Sequence, residues 1–326
     1  MALDQFGRDI DYLRISLTDQ CNLRCVYCMP DDMAFQPGEH LLTDAEIVRV
    51  AGIFATLGFR KIRLTGGEPT LRPSLPRLVR DIKSIPGIRE VAMTTNGILL
   101  KHLAPSLVKA GLDRVNVSID TLDPGKFKQI TRWGNIDDVW TGITAAEHAG
   151  LPVKINAVLI KGWNDGADAV DLARLTRAHP WQVRFIEMMP LGRIADFQTG
   201  HVVVEQAVQT RIATELGELH PVNHGELDGE ARVYKLADGI GSIGFISSVS
   251  NPFCGSCNRV RLTAEGTLRL CLLRDDELPL RALLRNGTTD AGLRKRIAAS
   301  VWLKPWGHGL ANRQIARSRV MSEIGG

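Results

Sequence analysis

The feature that most constrains the fold is an alternation of short β-branched runs with longer amphipathic segments over the first two thirds of the chain. Short runs rich in Val and Ile predict buried strands, whereas apolar residues spaced three and four apart predict helices. Six such β-then-α units predict an α/β fold with a parallel sheet. The predicted strands are 11–17, 61–64, 90–93, 114–119, 154–160 and 182–186, and the predicted helices are 43–57, 75–84, 103–110, 136–149 and 167–178.

Polar or glycine-bearing turns directly follow several of the predicted strands. They are Thr18-Asp19-Gln20, Thr65-Gly66-Gly67-Glu68-Pro69, Thr94-Thr95-Asn96-Gly97 and Asp120-Thr121. The carboxyl ends of parallel strands are where α/β barrels and open α/β sheets place their active sites. We therefore expect the chemistry of this protein to gather on that rim.

The character of the sequence changes after about residue 220. Two short strand-like pieces, 231–236 and 242–247, precede a group of cysteines, and helical segments follow them. A chain of 326 residues, of which 44% are hydrophobic, can bury a substantial core. We predict a barrel-like domain over 1–220 and a C-terminal extension over 221–326 that need not fold independently.

Net charge and the N-terminal residues bear on partners and location. The formal charge of +4 includes no run of like charges, which does not favour a nucleic-acid partner. Residues 1–15 carry Asp4, Asp9 and Asp11 and lack the apolar stretch of a secretory signal. No stretch is long enough to span a bilayer. We expect a cytoplasmic protein without a membrane partner.

All six cysteines fall into two tight groups, and in a reducing compartment such groups favour metal binding over disulfides. The first group, Cys21-x3-Cys25-x2-Cys28, can turn three thiolates toward one centre, whereas a four-iron cluster normally takes four. The fourth iron could then stay open for a substrate or cofactor. A structural zinc with a remote ligand is the alternative, and the position of the loop after a strand favours ligand binding.

The second group, Cys254-x2-Cys257-x13-Cys271, again offers three thiolates. A structural zinc is a serious alternative here, because C-x2-C pairs are common in zinc sites. Arg259 and Arg261 follow the second cysteine and point to the same side of an extended strand. Paired guanidinium groups suit a phosphate-bearing ligand, although a solvated strand face would have the same pattern.

Three further arginines, Arg14, Arg63 and Arg184, lie in or beside predicted strands of the barrel. An arginine inside a barrel needs an anionic partner, because burying an unpaired charge is costly. These residues favour the phosphate-binding interpretation of Arg259 and Arg261.

The run Cys21-Asn22-Leu23-Arg24-Cys25-Val26-Tyr27-Cys28 resembles the radical S-adenosylmethionine (radical SAM) superfamily, including the aromatic residue before the last cysteine. The turn Gly66-Gly67-Glu68-Pro69 is similar to the superfamily's glycine-rich turn, which lines the methionyl part of the cofactor. The resemblance implies a [4Fe–4S] cluster whose open iron chelates S-adenosylmethionine (SAM). It also implies cleavage of SAM to methionine and a 5′-deoxyadenosyl radical.

Over nearly its whole length the chain resembles the GTP 3′,8-cyclase family of molybdenum-cofactor biosynthesis. The similar motifs, all intact, are 11–16, 63–69, 94–97, 116–120, 153–156, 184–190, both cysteine groups and the terminal Gly325-Gly326. The resemblance implies an incomplete (β/α)6 TIM-like barrel of the radical SAM type. It implies two [4Fe–4S] clusters that face one cavity, the second carried by the C-terminal extension.

The same resemblance assigns roles to individual residues. Cys21, Cys25 and Cys28 would bind the first cluster, and Cys254, Cys257 and Cys271 would bind the second. The implied SAM contacts are Tyr27, Gly67, Ser118 and Met189. The implied GTP contacts are Arg14, Arg63, Thr94, Lys154, Arg184, Arg259 and Arg261. The first three cysteines, Arg259 and Arg261 are also predicted to be catalytic.

In the implied reaction the deoxyadenosyl radical removes the ribose C3′ hydrogen of GTP, and C3′ then attacks C8 of guanine. Reduction gives 3′,8-cyclo-7,8-dihydro-GTP. The implied partners are an electron donor such as flavodoxin or ferredoxin and the next enzyme of the molybdopterin pathway, and a homodimer is left open. The paired glycines Gly325-Gly326, with the basic stretch 313–319, predict a tail that enters the catalytic cavity.

Two other interpretations stay open from the residues alone. One is a different radical enzyme with an auxiliary cluster, which modifies a peptide or an RNA base and does not require the arginine set. The other is a non-enzymatic module with two zinc sites. Measured GTP affinity separates the first from a cyclase, and iron and sulfide analysis separates the second.

Overall fold

A computed structural model describes residues 2–222, 227–310 and 314–325, with the backbone alone described at 227–228. The six predicted strands are confirmed as β1 (Tyr12–Ser16), β2 (Lys61–Thr65), β3 (Glu90–Thr95), β4 (Arg114–Ser118), β5 (Val153–Val158) and β6 (Gln182–Ile186). The helices between and after them are α1 (Asp44–Thr56), α2 (Leu75–Lys83), α3 (Leu100–Lys109), α4 (Pro124–Thr131), α5 (Ile136–His148) and α6 (Ala167–Ala178).

Local capping explains where these helices begin. At α1 the Thr43 side chain accepts from the backbone N–H of Glu46, and the Glu46 carboxylate accepts from that of Thr43. At α4, which the sequence analysis missed, Asp123 caps the first turn and Pro124 takes the first position. With eight residues, α4 is too short to show a clear helical periodicity. Only the residues at its start, Asp123 and Pro124, could have predicted it.

The later elements complete the chain. They are α7 (Ala195–Gly200), α8 (Glu205–Leu216), β7 (His220–Pro221), β8 (Leu227–Asp228), β9 (Ala231–Lys235), β10 (Ser242–Ile246), β11 (Arg259–Leu262), β12 (Thr267–Arg269), β13 (Glu277–Pro279), α9 (Leu280–Arg285), α10 (Asp290–Trp302) and α11 (Met321–Ile324).

The residues after 220 extend the sheet at both of its edges. β11 pairs parallel with β1, and β10 pairs parallel with β6. The full order is β13-β12-β11-β1-β2-β3-β4-β5-β6-β10-β9-β7, with β8 paired to β9. The second cysteine group is therefore carried beside the first strand of the barrel, although it lies more than two hundred residues later in the chain.

The two faces of the strands have opposite chemistry. Apolar residues such as Leu13 and Ile15 face outward and are fully buried against the surrounding helices. Phe54 of α1 packs edge-on against Phe59, with ring centroids 4.7 Å apart. Each such side chain contributes roughly 1.5–3 kcal/mol to folding. The hydrophobic core therefore lies between the sheet and its helices, which leaves the inner face of the sheet for polar groups.

The strand register places arginines side by side on that inner face. Arg14 of β1 lies opposite Arg63 of β2 on one side and Arg261 of β11 on the other. Adjacent like charges in a sheet are destabilising. A row of three buried guanidinium groups therefore indicates a site for anions rather than a structural element.

Candidate active site

A cavity of about 270 Å³ lies inside the barrel and at the carboxyl ends of its strands. Residues of both cysteine groups line it, because β11 brings the second group next to β1. They are Cys21, Cys25, Cys28, Cys254, Cys257 and Cys271. The geometry agrees with the expectation that the two groups face one cavity.

The first cysteine loop, residues 21–28, is held by the end of α4. The backbone N–H of Arg24 donates to the Thr131 carbonyl at 3.2 Å. The Arg132 guanidinium donates to the Arg24 carbonyl at 2.9 Å and to that of Met29 at 3.3 Å. Arg132 has a φ of 73°, a conformation that non-glycine residues rarely adopt. Backbone strain of this kind is typical of functional sites, and here it accompanies the placement of the cysteine loop.

The thiols of this loop lie in apolar and acidic surroundings. Burial raises the pKa of Cys21 to about 11 and that of Cys28 to about 12, and it raises that of Cys25 well above its usual value. The carboxylates of Glu68 and Asp120 add to these shifts. A bound metal deprotonates its thiol ligands outright. Arg24 lowers the pKa of Cys21 but does not offset burial there, so three converging thiols suit a positively charged centre that supplies the missing charge.

The glycine-rich turn after β2 packs directly on the backbone after β1. A Cβ at Gly67 would lie 2.3 Å from the carbonyl oxygen of Gln20 and 2.5 Å from that of Asp19. A Cβ at Gly66 would lie 2.6 Å from the carbonyl oxygen of Thr18. Only glycine allows this approach, so the two glycines are needed to bring the turn against the start of the cysteine loop.

Glu68 ties this turn to the next strand end. Its buried carboxylate accepts from the backbone N–H groups of Thr70 at 3.0 Å and Asn96 at 2.7 Å, and from the Thr95 hydroxyl at 2.7 Å. The Asn96 amide in turn donates to the Asn22 side chain at 2.7 Å. These contacts join the ends of β2 and β3 to the cysteine loop in one hydrogen-bonded unit.

The residues predicted to contact SAM all line this cavity. They are Tyr27, Gly67, Ser118 and Met189. The Tyr27 hydroxyl donates to Asp120 at 2.8 Å, and the other oxygen of Asp120 accepts from the Val158 N–H at 2.8 Å. Burial raises the pKa of Asp120 to about 6. Asp120 thus fixes the tyrosine of the cysteine loop to the ends of β4 and β5.

Most residues predicted to contact GTP also line the cavity. They are Arg14, Arg63, Thr94, Arg259 and Arg261. Arg184 does not line the cavity, but its guanidinium lies 3.6 Å from the cavity-lining carboxylate of Glu230. Lys154 is placed differently: it lies on the same face of β5 as the cavity-lining Asn156 but nearer the start of the strand, and it donates to Gln182 at 2.8 Å. The structure therefore brings five of the seven residues to the cavity wall.

The inner arginines are charged and only partly engaged. Burial lowers the pKa of Arg14 and Arg184 to about 10 each, which leaves both protonated at neutral pH. Among the described residues, Nε of Arg63 and two nitrogens of Arg184 have no hydrogen-bond partner although they are buried. Buried donors normally find an acceptor. An anionic ligand with several oxygens would satisfy them.

The second cysteine loop, residues 254–257, has cationic surroundings. The Arg8 guanidinium donates to the Cys254 carbonyl at 2.6 Å and to the Trp306 carbonyl at 2.9 Å. Burial raises the pKa of Cys257, but Arg259 and Lys304 outweigh it and bring this pKa down to about 7. The second loop can therefore hold a thiolate near neutral pH without help from a metal.

The last described residues touch the arginine row. Arg261 donates to the Gly325 carbonyl at 3.0 Å. Gly325 has a φ of +83°, and a Cβ there would lie 2.8 Å from the Thr65 side chain and 2.9 Å from that of Ser16. Gly326 and the start of the basic stretch, residue 313, lie outside the described residues. The entry of the tail into the cavity stays a prediction, which the Arg261 contact supports.

Four of the charged cavity residues were given no individual role from the sequence. Glu68 and Asp120 lie in the turns after β2 and β4 that the sequence predicted to gather the chemistry, but no pattern assigned them a contact. Glu230 and Lys304 are single charged residues in turns far from the barrel strands, and no local pattern marks them.

Two features are absent from the described part of the chain, a membrane-spanning helix and a cluster of side chains around a single metal ion. No helix there is long and apolar enough to cross a membrane. No three His, Cys, Asp or Glu side chains there are arranged to hold a single metal ion. An iron–sulfur cluster is a larger group held by several thiolates.

Two family models match the chain. Residues 15–175 match the radical SAM superfamily, and residues 181–310 match the Molybdenum Cofactor Synthesis C family. Among the solved structures, the chain is similar to Streptococcus suis SuiB bound to precursor peptide SuiA, with a TM-score of 0.56, 14% identity and coverage of 97% of this chain and 76% of that one. A radical SAM methyltransferase from Sphaerobacter thermophilus has a TM-score of 0.52, 19% identity and coverage of 78% and 69%. These similarities concern the fold.

Curated relatives are much closer in sequence. The GTP 3′,8-cyclase of Heliobacterium modesticaldum is 47% identical over 99% of this chain and 100% of its own length. That of Moorella thermoacetica is 46% identical over 99% of both chains. Identity at this level over the full length, together with the two family models, decides the assignment. The chain belongs to the GTP 3′,8-cyclase family of radical SAM enzymes.

Proposed function

We propose that this protein converts GTP to 3′,8-cyclo-7,8-dihydro-GTP with SAM as the radical source, as the first step of molybdenum-cofactor biosynthesis. The observation that carries the proposal is that both cysteine groups and four arginines, Arg14, Arg63, Arg259 and Arg261, line one cavity. A single cavity can hold a nucleotide between a radical source and a second metal site. A radical enzyme for a peptide or an RNA base has no comparable need for the arginine row.

The first cysteine loop fits the cluster of a radical SAM enzyme. Cys21, Cys25 and Cys28 would bind a [4Fe–4S] cluster, and Gly67, which also lines the cavity, lets the glycine-rich turn pack against the backbone just before the cysteine loop. When bound, the cluster and SAM supply a 5′-deoxyadenosyl radical. The chain contributes placement: the hydrogen bond from Tyr27 to Asp120 holds the loop against the barrel.

The second cysteine group would bind a second [4Fe–4S] cluster through Cys254, Cys257 and Cys271. The cations Arg259 and Lys304 lie close enough to lower the pKa of one of its thiols, so they would also stabilise a thiolate-bound cluster. A structural zinc would use the same ligands, and metal analysis separates the two.

The arginine row would bind the triphosphate of GTP, which carries roughly four negative charges. Arg14, Arg63 and Arg261 lie side by side, and the buried donors of Arg184 lack acceptors among the described residues. Binding in a buried cavity would also orient the ribose and exclude water from it. Lys154, near the start of β5, would reach a phosphate only if GTP extends deep into the barrel.

Further partners belong to the same proposal. A one-electron donor such as flavodoxin or ferredoxin would supply reducing equivalents, and the next enzyme of the molybdopterin pathway would take the product. The terminal Gly325-Gly326 would reach the substrate through the contact that Gly325 makes with Arg261.

Anaerobic incubation of the reconstituted protein with GTP, SAM and dithionite tests the proposal. We expect consumption of GTP with formation of 5′-deoxyadenosine and of a product with the mass of GTP but a different retention time. Omission of SAM is the control, and it should leave GTP unchanged. Formation of 5′-deoxyadenosine without loss of GTP would contradict the assignment of the substrate.

A further inference from the structure

Glu230 is a buried carboxylate inside the arginine cluster. It is the second residue of the two-residue turn between β8 and β9, and it lines the cavity with 11% of its side chain exposed. Its oxygens lie 3.6 Å from Arg184 and 3.5 Å from Arg259. A single carboxylate therefore stands between two residues that are proposed to bind phosphate.

The contacts of Glu230 are loose for buried ion pairs. Charge-assisted hydrogen bonds between nitrogen and a carboxylate are normally about 2.7–2.9 Å long. Within the described residues, Nε and one terminal nitrogen of Arg184 still lack a hydrogen-bond partner. Glu230 thus neutralises part of the cluster without satisfying its donors.

The fold makes room for this pairing. Gly244 of β10 lies opposite Arg184 in the sheet. A Cβ at Gly244 would lie 2.9 Å from Cγ of Arg184 and 3.2 Å from Cβ of Ala231, the residue after Glu230. The absence of a side chain at Gly244 therefore lets the Arg184 side chain pass toward the turn that carries Glu230.

Glu230 stays ionised at every working pH. Burial alone would raise its pKa, but Arg259 and Arg184, with smaller effects from Arg63 and Arg14, hold the pKa far below the usual range. A phosphate that approached the same guanidinium groups would meet a negative charge in the cavity, and like charges at close range repel strongly where water is excluded.

We propose that the Glu230 carboxylate occupies the phosphate end of the substrate site before GTP binds, and that the phosphates must displace it from Arg184 and Arg259. Glu230 is then a residue that limits the affinity for phosphate-bearing ligands. It keeps the buried arginines partly neutralised until a more highly charged anion replaces it. This inference rests on the proposed function, because it takes GTP as the ligand.

The test compares Glu230→Gln with a matched control, Glu205→Gln. Glu205 pairs with Arg232 at 3.4 Å and has the same exposed fraction, 11%, and it is not among the described residues that line the cavity. Both variants keep the shape of the side chain and remove one charge. Affinities for GTP, inorganic triphosphate, guanosine and SAM are measured by calorimetry on the reconstituted proteins, once in EDTA and once with excess Mg²⁺.

We expect Glu230→Gln to bind GTP and inorganic triphosphate at least about tenfold more tightly than the parent. Guanosine and SAM should bind as before, and Glu205→Gln should change none of the four affinities. The thermal midpoint of Glu230→Gln without ligands should fall, because the arginines then lose their counter-charge. A purely structural role would lower the midpoint without tightening triphosphate binding, so that result would overturn the proposal.

Weaker GTP binding in Glu230→Gln would also overturn it, since Glu230 would then organise the arginines instead of competing with phosphate. A third result would also overturn it: tighter GTP binding by the parent that requires Mg²⁺ and is lost in Glu230→Gln. Glu230 would then be a ligand of the cation. If the parent cyclises GTP but the parent and Glu230→Gln bind GTP with equal affinity, only the proposed role of Glu230 is contradicted. If neither protein binds GTP or triphosphate, the proposed function fails with it.

Discussion

The two cysteine loops face the same cavity but lie in opposite electrostatic surroundings. In the first, burial and the nearby carboxylates of Glu68 and Asp120 keep the thiols protonated. In the second, burial also raises the pKa of Cys254, but at Cys257 the cations Arg259 and Lys304 overcome burial and lower the pKa to about 7. The cysteine spacings alone do not reveal this difference.

The difference teaches that the second loop shares a cation, Arg259, with the proposed phosphate-binding cluster. Arg259 lies close to Cys257 and also pairs with Glu230 in the arginine cluster. A change in the charge of the ligand there should be felt at the second metal site. The first loop is instead hydrogen-bonded to Asp120 and to Asn96, which also donates to Glu68 of the glycine-rich turn, so it is linked to the predicted SAM contacts.

The largest effect should come from removing a thiolate of the first loop. Cys25→Ala leaves two local thiolates, which should not hold a stable cluster. We expect complete loss of SAM cleavage and of cyclisation, measured as 5′-deoxyadenosine and as GTP consumed under anaerobic conditions. Undiminished 5′-deoxyadenosine from this variant would remove the first loop from the radical chemistry.

The same change in the second loop should separate the two functions. Cys257→Ala should retain the first cluster and cleave SAM, because the two loops share no ligand, but it should lose cyclisation of GTP. Both products are measured on one preparation, together with its iron content. Conversion of GTP at the parent rate would reduce the second loop to a structural element.

A smaller effect, on stability, should distinguish the tightly packed turn beside the first loop from the open backbone within the second loop. Gly67→Ala places a methyl group 2.3 Å from the Gln20 carbonyl oxygen, so we expect a loss of about 1–3 kcal/mol in the free energy of unfolding. Gly255→Ala is the control, because its Cβ would meet only the Trp306 ring at 3.6 Å, and we expect a change within about 0.5 kcal/mol. Urea unfolding of both variants without clusters makes the comparison, and equal losses would contradict it.

The sequence predicted the barrel because its signals are local. Alternating runs of apolar residues placed the six strands, and β12 and β13 were missed because three residues carry no period. The attachment of β10 and β11 to opposite edges of the sheet depends on which strands pair in three dimensions. The predicted boundary near residue 220 stays a prediction, since the later strands pair directly with the barrel.

The site was predictable where residue type and spacing carry chemistry. The cysteines and the arginines on β1, β2, β6 and β11 were identified in this way. All of them line the cavity except Arg184 on β6, which lies 3.6 Å from the cavity-lining Glu230. Glu230 and Lys304 could not be found, because a lone charged residue in a turn usually faces solvent. Their burial comes from neighbours that are distant in the chain.

The smallest effect concerns the pH at which each loop reacts in protein prepared without clusters. The thiolate is the reactive form of cysteine. Cys257 has a pKa of about 7, below its ordinary value of 9.0, so its alkylation should be half-maximal near neutral pH, whereas Cys21, with a pKa of about 11, should need strongly alkaline solution. By linkage, the thiolate of Cys257 stabilises the fold above about pH 9, and this contribution is lost as the pH falls toward 7.

Lys304→Gln removes one of the two cations near Cys257. This change should raise the pH midpoint for alkylation of Cys257 and leave that of Cys21 in place. Midpoints are read from the pH dependence of iodoacetamide labelling by peptide mass analysis, since the midpoint does not depend on how accessible each thiol is. Identical midpoints for the two loops would show that the cations near Cys257 do not act on it.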